Sequence, residues 1–143
     1  MLMALLPVPK FTHKNRHLRS LLEDRLIHKC LDIVLEQVKK AAEHGTMLPD
    51  PNGQIRYCFT LLAGYIVDTP EVQMLVCIGG KTSPVTMAMY KQFGDSFCHE
   101  PRTGLNTIAQ LQVVKSKVNP SDLHSFLREA QQFHLNGVSE PCF

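Results

Sequence analysis

The stretch IRYCFTLLAGYIVDTPE, residues 55–71, decides how the rest of the chain is read. Over 55–60 the bulky residues Ile55, Tyr57 and Phe59 alternate with Arg56, Cys58 and Thr60, as in a half-buried strand. Residues 61–67 (LLAGYIV) are continuously apolar, the pattern of a strand covered on both faces of a sheet. Asp68, Thr69, Pro70 and Glu71 then end the strand and open a helix over about 70–78, closed by Gly79 and Gly80. Proline is favoured at the first helical position, so Thr69 is the expected cap and the Asp68 carboxylate is left free. A carboxylate at the C-terminal end of a buried strand stands where ligands and metals gather on α/β sheets.

Upstream, apolar residues recur at Leu18, Leu21, Leu22, Ile27, Cys30, Leu31, Val34, Leu35, Val38, Ala41 and Ala42. These three- and four-residue steps predict one long amphipathic helix over 15–44, with Gly45 as its stop. Lys39, Lys40 and His44 suit its negative C-terminal end. Residues 1–8 (MLMALLPV) read as a short buried strand ended by Pro7 and Pro9, and 47–53 as a turn-rich loop. Downstream, 79–104 is rich in Gly, Lys, Thr, Ser and Pro and shows little periodicity; an irregular stretch of that length is functional or mobile in most domains. Two helices follow, over 107–115 and 120–133. Asn119 or Ser121 is the expected cap of the second, and Leu123, Phe126, Leu127 and Ala130 its apolar face. Asn136-Gly137 marks a turn. The expected fold is a mixed α/β domain with a helical C-terminal tail.

Composition narrows the class. A chain of 143 residues that is 44% hydrophobic and 20% charged is an ordinary globular protein. No segment approaches the roughly 20 apolar residues of a membrane span, and no charged residue precedes the apolar N-terminal run, as a secretory signal would require. The five cysteines are widely spread and form no C-x-x-C pair, which points to reduced thiols in an intracellular compartment. The net charge of +2 hides an asymmetry. Residues 1–40 hold eight Lys/Arg against four Asp/Glu, the remainder seven against nine.

Two features could carry chemistry. Asp68 could bind a divalent cation through oxygen, as Mg²⁺ prefers, or belong to a helix cap with Glu71 completing a capping box. The second feature is the cluster Lys10, His13, Lys14, Arg16, His17 and Arg19 at the start of the long helix. Positive charge opposes the helix dipole there; contact with nucleic-acid phosphate would explain it, and a solvated surface is the alternative. Cys77, Cys98 and His99 have no zinc-site spacing. There is no phosphate loop, no G-x-S-x-G and no dinucleotide fingerprint, so no small-molecule substrate is apparent.

The order of segments adds a resemblance. LLPVPKF (5–11), the basic-led helix, DPNGQIRYCFTLLAGYIVDTPE (50–71), KTSPVTMAMYKQFGD (81–95) and LNGVSEPCF (135–143) resemble the middle of fungal cut-and-paste DNA transposases of the Plavaka type. YIVDTPE and YKQFGD are the most specific parts. The resemblance implies a ribonuclease H-like fold, here partial: one incomplete domain over 1–143, with a core at 1–78, an irregular loop at 79–104 and a helical tail at 105–143. It implies that Asp68 is the second carboxylate of a D, D, E triad, a Mg²⁺ ligand in a complete enzyme. The other two carboxylates are expected outside this chain, which therefore holds no cofactor of its own. The family's C-P-x-C knuckle corresponds to Ser83-Pro84-Val85-Thr86, with hydroxyls for thiols, and hydroxyls are poor zinc ligands.

The expected function is that of a fragment or decayed copy of a transposase without catalysis of its own. The alternative is a non-enzymatic DNA- or protein-binding module that retains the basic helix. A third possibility, a small enzyme, would pair Asp68 with Glu71, Asp95 or Glu100. Weak DNA binding through Lys10, Lys14, Arg16 and Arg19 is expected, with nuclear localisation following the family.

Overall fold

The computed structural model describes residues 4–142. Its elements are α1 (Arg16–Val34), α2 (Glu36–His44), β1 (Thr46–Pro49), β2 (Ile55–Cys58), α3 (Thr69–Leu75), α4 (Gly104–Lys117) and α5 (Leu123–Gln132), with one 3₁₀ turn at Tyr90–Gln92. The fold is mixed α/β, as its sequence leads one to expect. Among the described residues its only sheet is the antiparallel pair β1–β2.

The periodic stretch 15–44 is helical with one interruption. Asn15 caps α1 through its side-chain oxygen, which accepts from the His17 N–H at 2.9 Å. Leu18, Leu21, His28, Leu31 and Leu35 are buried and recur on one helical face. At Leu35 the backbone leaves helical geometry, at φ −91° and ψ 1°. The bonds Leu35 N to Leu31 O and Lys39 N to Leu35 O, both 2.9 Å, nevertheless carry the ladder across. The expected single helix is therefore two consecutive segments. Gly45 ends α2 with φ 71°.

Three expectations about strands are corrected. Of the strand expected over 1–8, residues 1–3 lie outside the described residues, and 4–8 are exposed and irregular. The loop expected over 47–53 contains most of β1, which pairs Thr46 with Cys58 and Pro49 with Ile55. Asp50 builds the turn, its Oδ1 accepting from the Asn52 and Gln54 N–H groups at 2.9 Å, and Gly53 supplies φ 79°. The third correction concerns 55–67. β2 stops at Cys58 and its residues are largely exposed. Residues 61–67 form no strand, and only Val67 among them is half-buried. A continuously apolar strand needs neighbours on both edges and cover on both faces, and here residues 61–67 are not part of the β1–β2 sheet.

The core sits among the later helices. Ile78, Leu111, Val114, Phe126, Ala130 and Leu135 form one buried cluster, and Leu31, Leu75 and Cys142 a second. The apolar face expected of α5 holds: Phe126 and Ala130 are buried, Leu123 and Leu127 half-buried. Its cap is Asp122, whose Oδ1 accepts from the Ser125 N–H; Asn119 instead accepts from Ser121 N in the preceding turn. The chain returns to α1 after α5. Gly79 N donates to His134 O and Asn136 N to Cys77 O, and Gly137, at φ 90°, passes close to α5 and α1. A Cβ there would meet Leu127 Cδ1 at 3.0 Å and Leu21 Cδ1 at 3.2 Å, so only glycine suits both backbone and space.

Arg25 fixes this return. Its Nη1 donates to Pro120 O at 2.9 Å and its Nη2 to Gly137 O at 3.0 Å. The guanidinium also lies 5.3 Å from the centre of the Phe126 ring. Between α3 and α4 the only helical turn among the described residues is Tyr90–Gln92, and the segment is cross-linked by isolated bridges at Thr82–Met89 and Thr86–Pro101.

Candidate functional site

Asp68 is the N-cap of α3. Its Oδ1 accepts from the Glu71 N–H at 2.9 Å, in extended geometry at φ −79° and ψ 170°. The expectation that Thr69 caps is thus corrected: the short aspartate reaches the third amide of the turn, and Thr69 and Pro70 lie inside the helix. One carboxylate oxygen is engaged in the cap, and the residue is exposed. A two-metal centre needs several carboxylate oxygens converging on both ions. Among the described residues no group of three or more His, Cys, Asp or Glu converges in that way. Asp95 is bonded instead to His99, Oδ2 to Nε2 at 3.0 Å. The donor set around Asp68 in this chain does not by itself fit the Mg²⁺ pair that the resemblance implies.

The cysteine–histidine trio of the sequence is not brought together either. Cys77 is buried with its Sγ 3.7 Å from His28 Nε2, while Cys98 is exposed. Where the resemblance places a metal knuckle, Ser83 Oγ accepts from the N–H groups of Val85 at 3.2 Å and Thr86 at 3.0 Å. Thr86 Oγ1 in turn accepts from Ala88 N.

The basic cluster does assemble a surface. Pro9, Lys10, Phe11, Arg16, Arg19 and Glu23 line a groove of about 490 Å³ at the start of α1. Lys14 is exposed and outside that lining. None of Lys10, Lys14, Arg16 and Arg19 has an ion-pair partner within 4.0 Å among the described residues. The first turn of α1 carries no acidic residue, so the helix dipole adds to the charges of Lys10, Arg16 and Arg19, with Glu23 the one acidic residue in the lining.

Two polar groups on the buried face of α1 escaped the sequence reading. His28 Nδ1 accepts from the Cys142 N–H at 3.1 Å, which leaves Nε2 to donate to Met74 O at 3.0 Å. That pair of partners selects the neutral ring protonated on Nε2. Burial holds its pKa below the usual 6.5, against the raising effect of the Met74 hydrogen bond. Burial also pushes the Cys77 thiol up to about 12, with Cys142 and Asp24 adding to the shift. Asp24 is raised from 3.8 to about 6, by burial first and then by the charge of Glu23. The available signal was positional. Asp24 and His28 fall between Leu21 and Leu31 on the apolar face, where polar residues need partners.

Among the described residues no helix is long and apolar enough to cross a membrane. No curated protein and no solved structure matches the chain. A family model does, that of the Plavaka transposase, and because it matches residues 1–143, the whole of the sequence, this chain belongs to the Plavaka transposase family.

Proposed function

We propose that this chain is a DNA-binding part of a transposase catalytic region and performs no strand cleavage alone. The observation that carries the reading is the groove of Lys10, Arg16 and Arg19 at the N-terminus of α1, whose charges have no acidic ion-pair partner among the described residues. Phosphate oxygens complement such a surface. The missing catalytic carboxylates would be supplied by other parts of a complete transposase, acting with Asp68 in the nucleus. Within this chain Asp68 orders the start of α3, and with it the turn that carries Pro70.

Binding should be weak, independent of sequence to first order and sensitive to salt. Four neutralised phosphates give a log–log salt slope of about −3.6 on B-DNA. Fluorescence anisotropy with a labelled duplex measures it, and alanine at Lys10, Lys14, Arg16 and Arg19 together should abolish the slope. Equal binding by that variant at low salt would sink the reading. Supercoiled DNA with Mg²⁺ or Mn²⁺ should stay intact; nicking that disappears in Asp68→Ala would show a catalytic chain instead.

A further inference from the structure

A second cavity, of about 470 Å³, adjoins the basic groove, and Ser20 lines both. Its walls are of two kinds. Leu21, Met74 and Leu127 are apolar, and Asp24, Gln131 and Asn136 are polar. Asp24 is bonded, among the described residues, only through a long contact of 3.4 Å from Asn136 Nδ2 to its Oδ2. The same nitrogen lies 3.4 Å from Met74 O, so it is shared. An ionised carboxylate accepts about four hydrogen bonds, and this one has most of that capacity unused. No Lys or Arg lines the cavity to neutralise it, and His17 is its only other titratable lining residue. The occupant must therefore bring a hydrogen-bond donor to Asp24 and flat apolar faces to the walls.

We propose that this cavity holds an unpaired nucleobase bearing an exocyclic amine (cytosine, adenine or guanine), with Asp24 accepting from the amine. The proposal rests on the DNA-binding reading above, because the flanking phosphates of such a base would lie in the groove of Arg16 and Arg19. Carboxylates accept from the cytosine amine in direct base readout, and extruded bases are held between apolar side chains by contacts to their polar edge. Thymine and uracil lack that amine: in its place they present a carbonyl, which the Asp24 carboxylate repels, and the ring N3–H is the one donor left on that edge. The side-chain amides of Asn136 and Gln131 offer both donors and acceptors to the remaining edge atoms. The pocket adds a preference for base type to a groove that by itself reads only phosphate.

The test separates the pocket from the groove by using probes without phosphate. Free cytidine and uridine are titrated into the full chain and followed by amide NMR. Cytidine should shift the signals of Asp24, Gln131 and Asn136, with uridine at least about tenfold weaker. Asp24→Asn, which keeps size and shape, should erase that discrimination, and Gln131→Ala should weaken cytidine. Equal binding of the two nucleosides, or none at millimolar concentration, would overturn the proposal. So would N-acetylarginine amide displacing cytidine at Asp24, the mark of a pocket for cationic side chains. If cytidine binds selectively while duplex DNA shows no salt-dependent binding, the pocket stands and the groove reading fails. Salt-dependent duplex binding without nucleoside discrimination would leave the groove standing and overturn the pocket.

Discussion

Residues 61–67 are more apolar than any stretch of α5, yet α5 supplies the core and 61–67 lies on the surface. Ile66 is 102% exposed and Phe126 is 0% exposed. The difference lies in partners. Phe126 packs with Ile78, Leu111, Val114 and Leu135, and the Arg25 guanidinium lies close to its ring. In 61–67, Val67 joins the Leu31–Leu75 cluster, and Leu62 lines a small recess with Leu35, Val38 and Ala42. Apolar sequence drives burial only where the chain brings complementary surface to it.

The strongest way to break this comparison is to truncate one side chain in each region. Phe126→Ala should destabilise by about 3–5 kcal/mol, through lost transfer energy and the cavity left behind. Ile66→Ala should change stability by no more than about 0.5 kcal/mol, as at an ordinary surface site. Urea unfolding measures both. A loss above about 1 kcal/mol at Ile66 would mean that the segment packs against something in solution.

A pH series sharpens it within the packed region, because Asp24 and His28 titrate with opposite consequences. The folded-state pKa of Asp24 is raised from 3.8 to about 6. Its contribution is therefore fully present below about pH 4 and is lost as pH rises through 6. Asp24→Asn should accordingly stabilise the protein at pH 7–8 by about 1–2 kcal/mol, discounted for partial exposure, and have little effect at pH 4. The folded-state pKa of His28 is lowered from 6.5. Its contribution is present above pH 6.5 and is lost as pH falls through the depressed value. His28→Gln should flatten the loss of stability below pH 6.5. Thermal melts across pH 4–8 should show the two variants departing from the parent at opposite ends of the range.

The smallest effect belongs to the irregular loop. Ser83→Ala removes the acceptor of two backbone N–H groups and should cost about 1 kcal/mol. Amide exchange at Val85 and Thr86 should quicken while that of the helix cores is unchanged. A quickening across α4 and α5 as well would show that the loop is coupled to the core.

What was legible in the sequence is what neighbouring residues decide among themselves. The period of Leu18, Leu21, Leu31 and Leu35 marks a helix without reference to anything distant, and so do Phe126 and Ala130 in α5. The basic groove was legible for the same reason, since Lys10, Arg16 and Arg19 lie within ten residues. The environment of 61–67 depends on what pairs with it, and its composition does not say. β1 was hidden by its closing proline, although Asp50 and Gly53 carry the turn that defines the hairpin. Asp24 and His28 acquire meaning only through Met74, Asn136 and Cys142, which are remote in sequence.

That remoteness sets an order of events during synthesis. His28 takes its Nδ1 partner from Cys142, 114 residues later, and Arg25 takes two of its bonds from Gly137, 112 residues later. While the ribosome is still releasing the α5 region, α1 can form as a helix and Met74 is already available to His28 Nε2, but Nδ1 still lacks its Cys142 partner. Contacts of such long sequence separation form late and slowly. The nascent chain must therefore wait for its residues around 135–142 before the first helix is shut in. A premature stop only a few codons upstream of Cys142 would leave a finished α1 with a dry-seeking histidine and no lid.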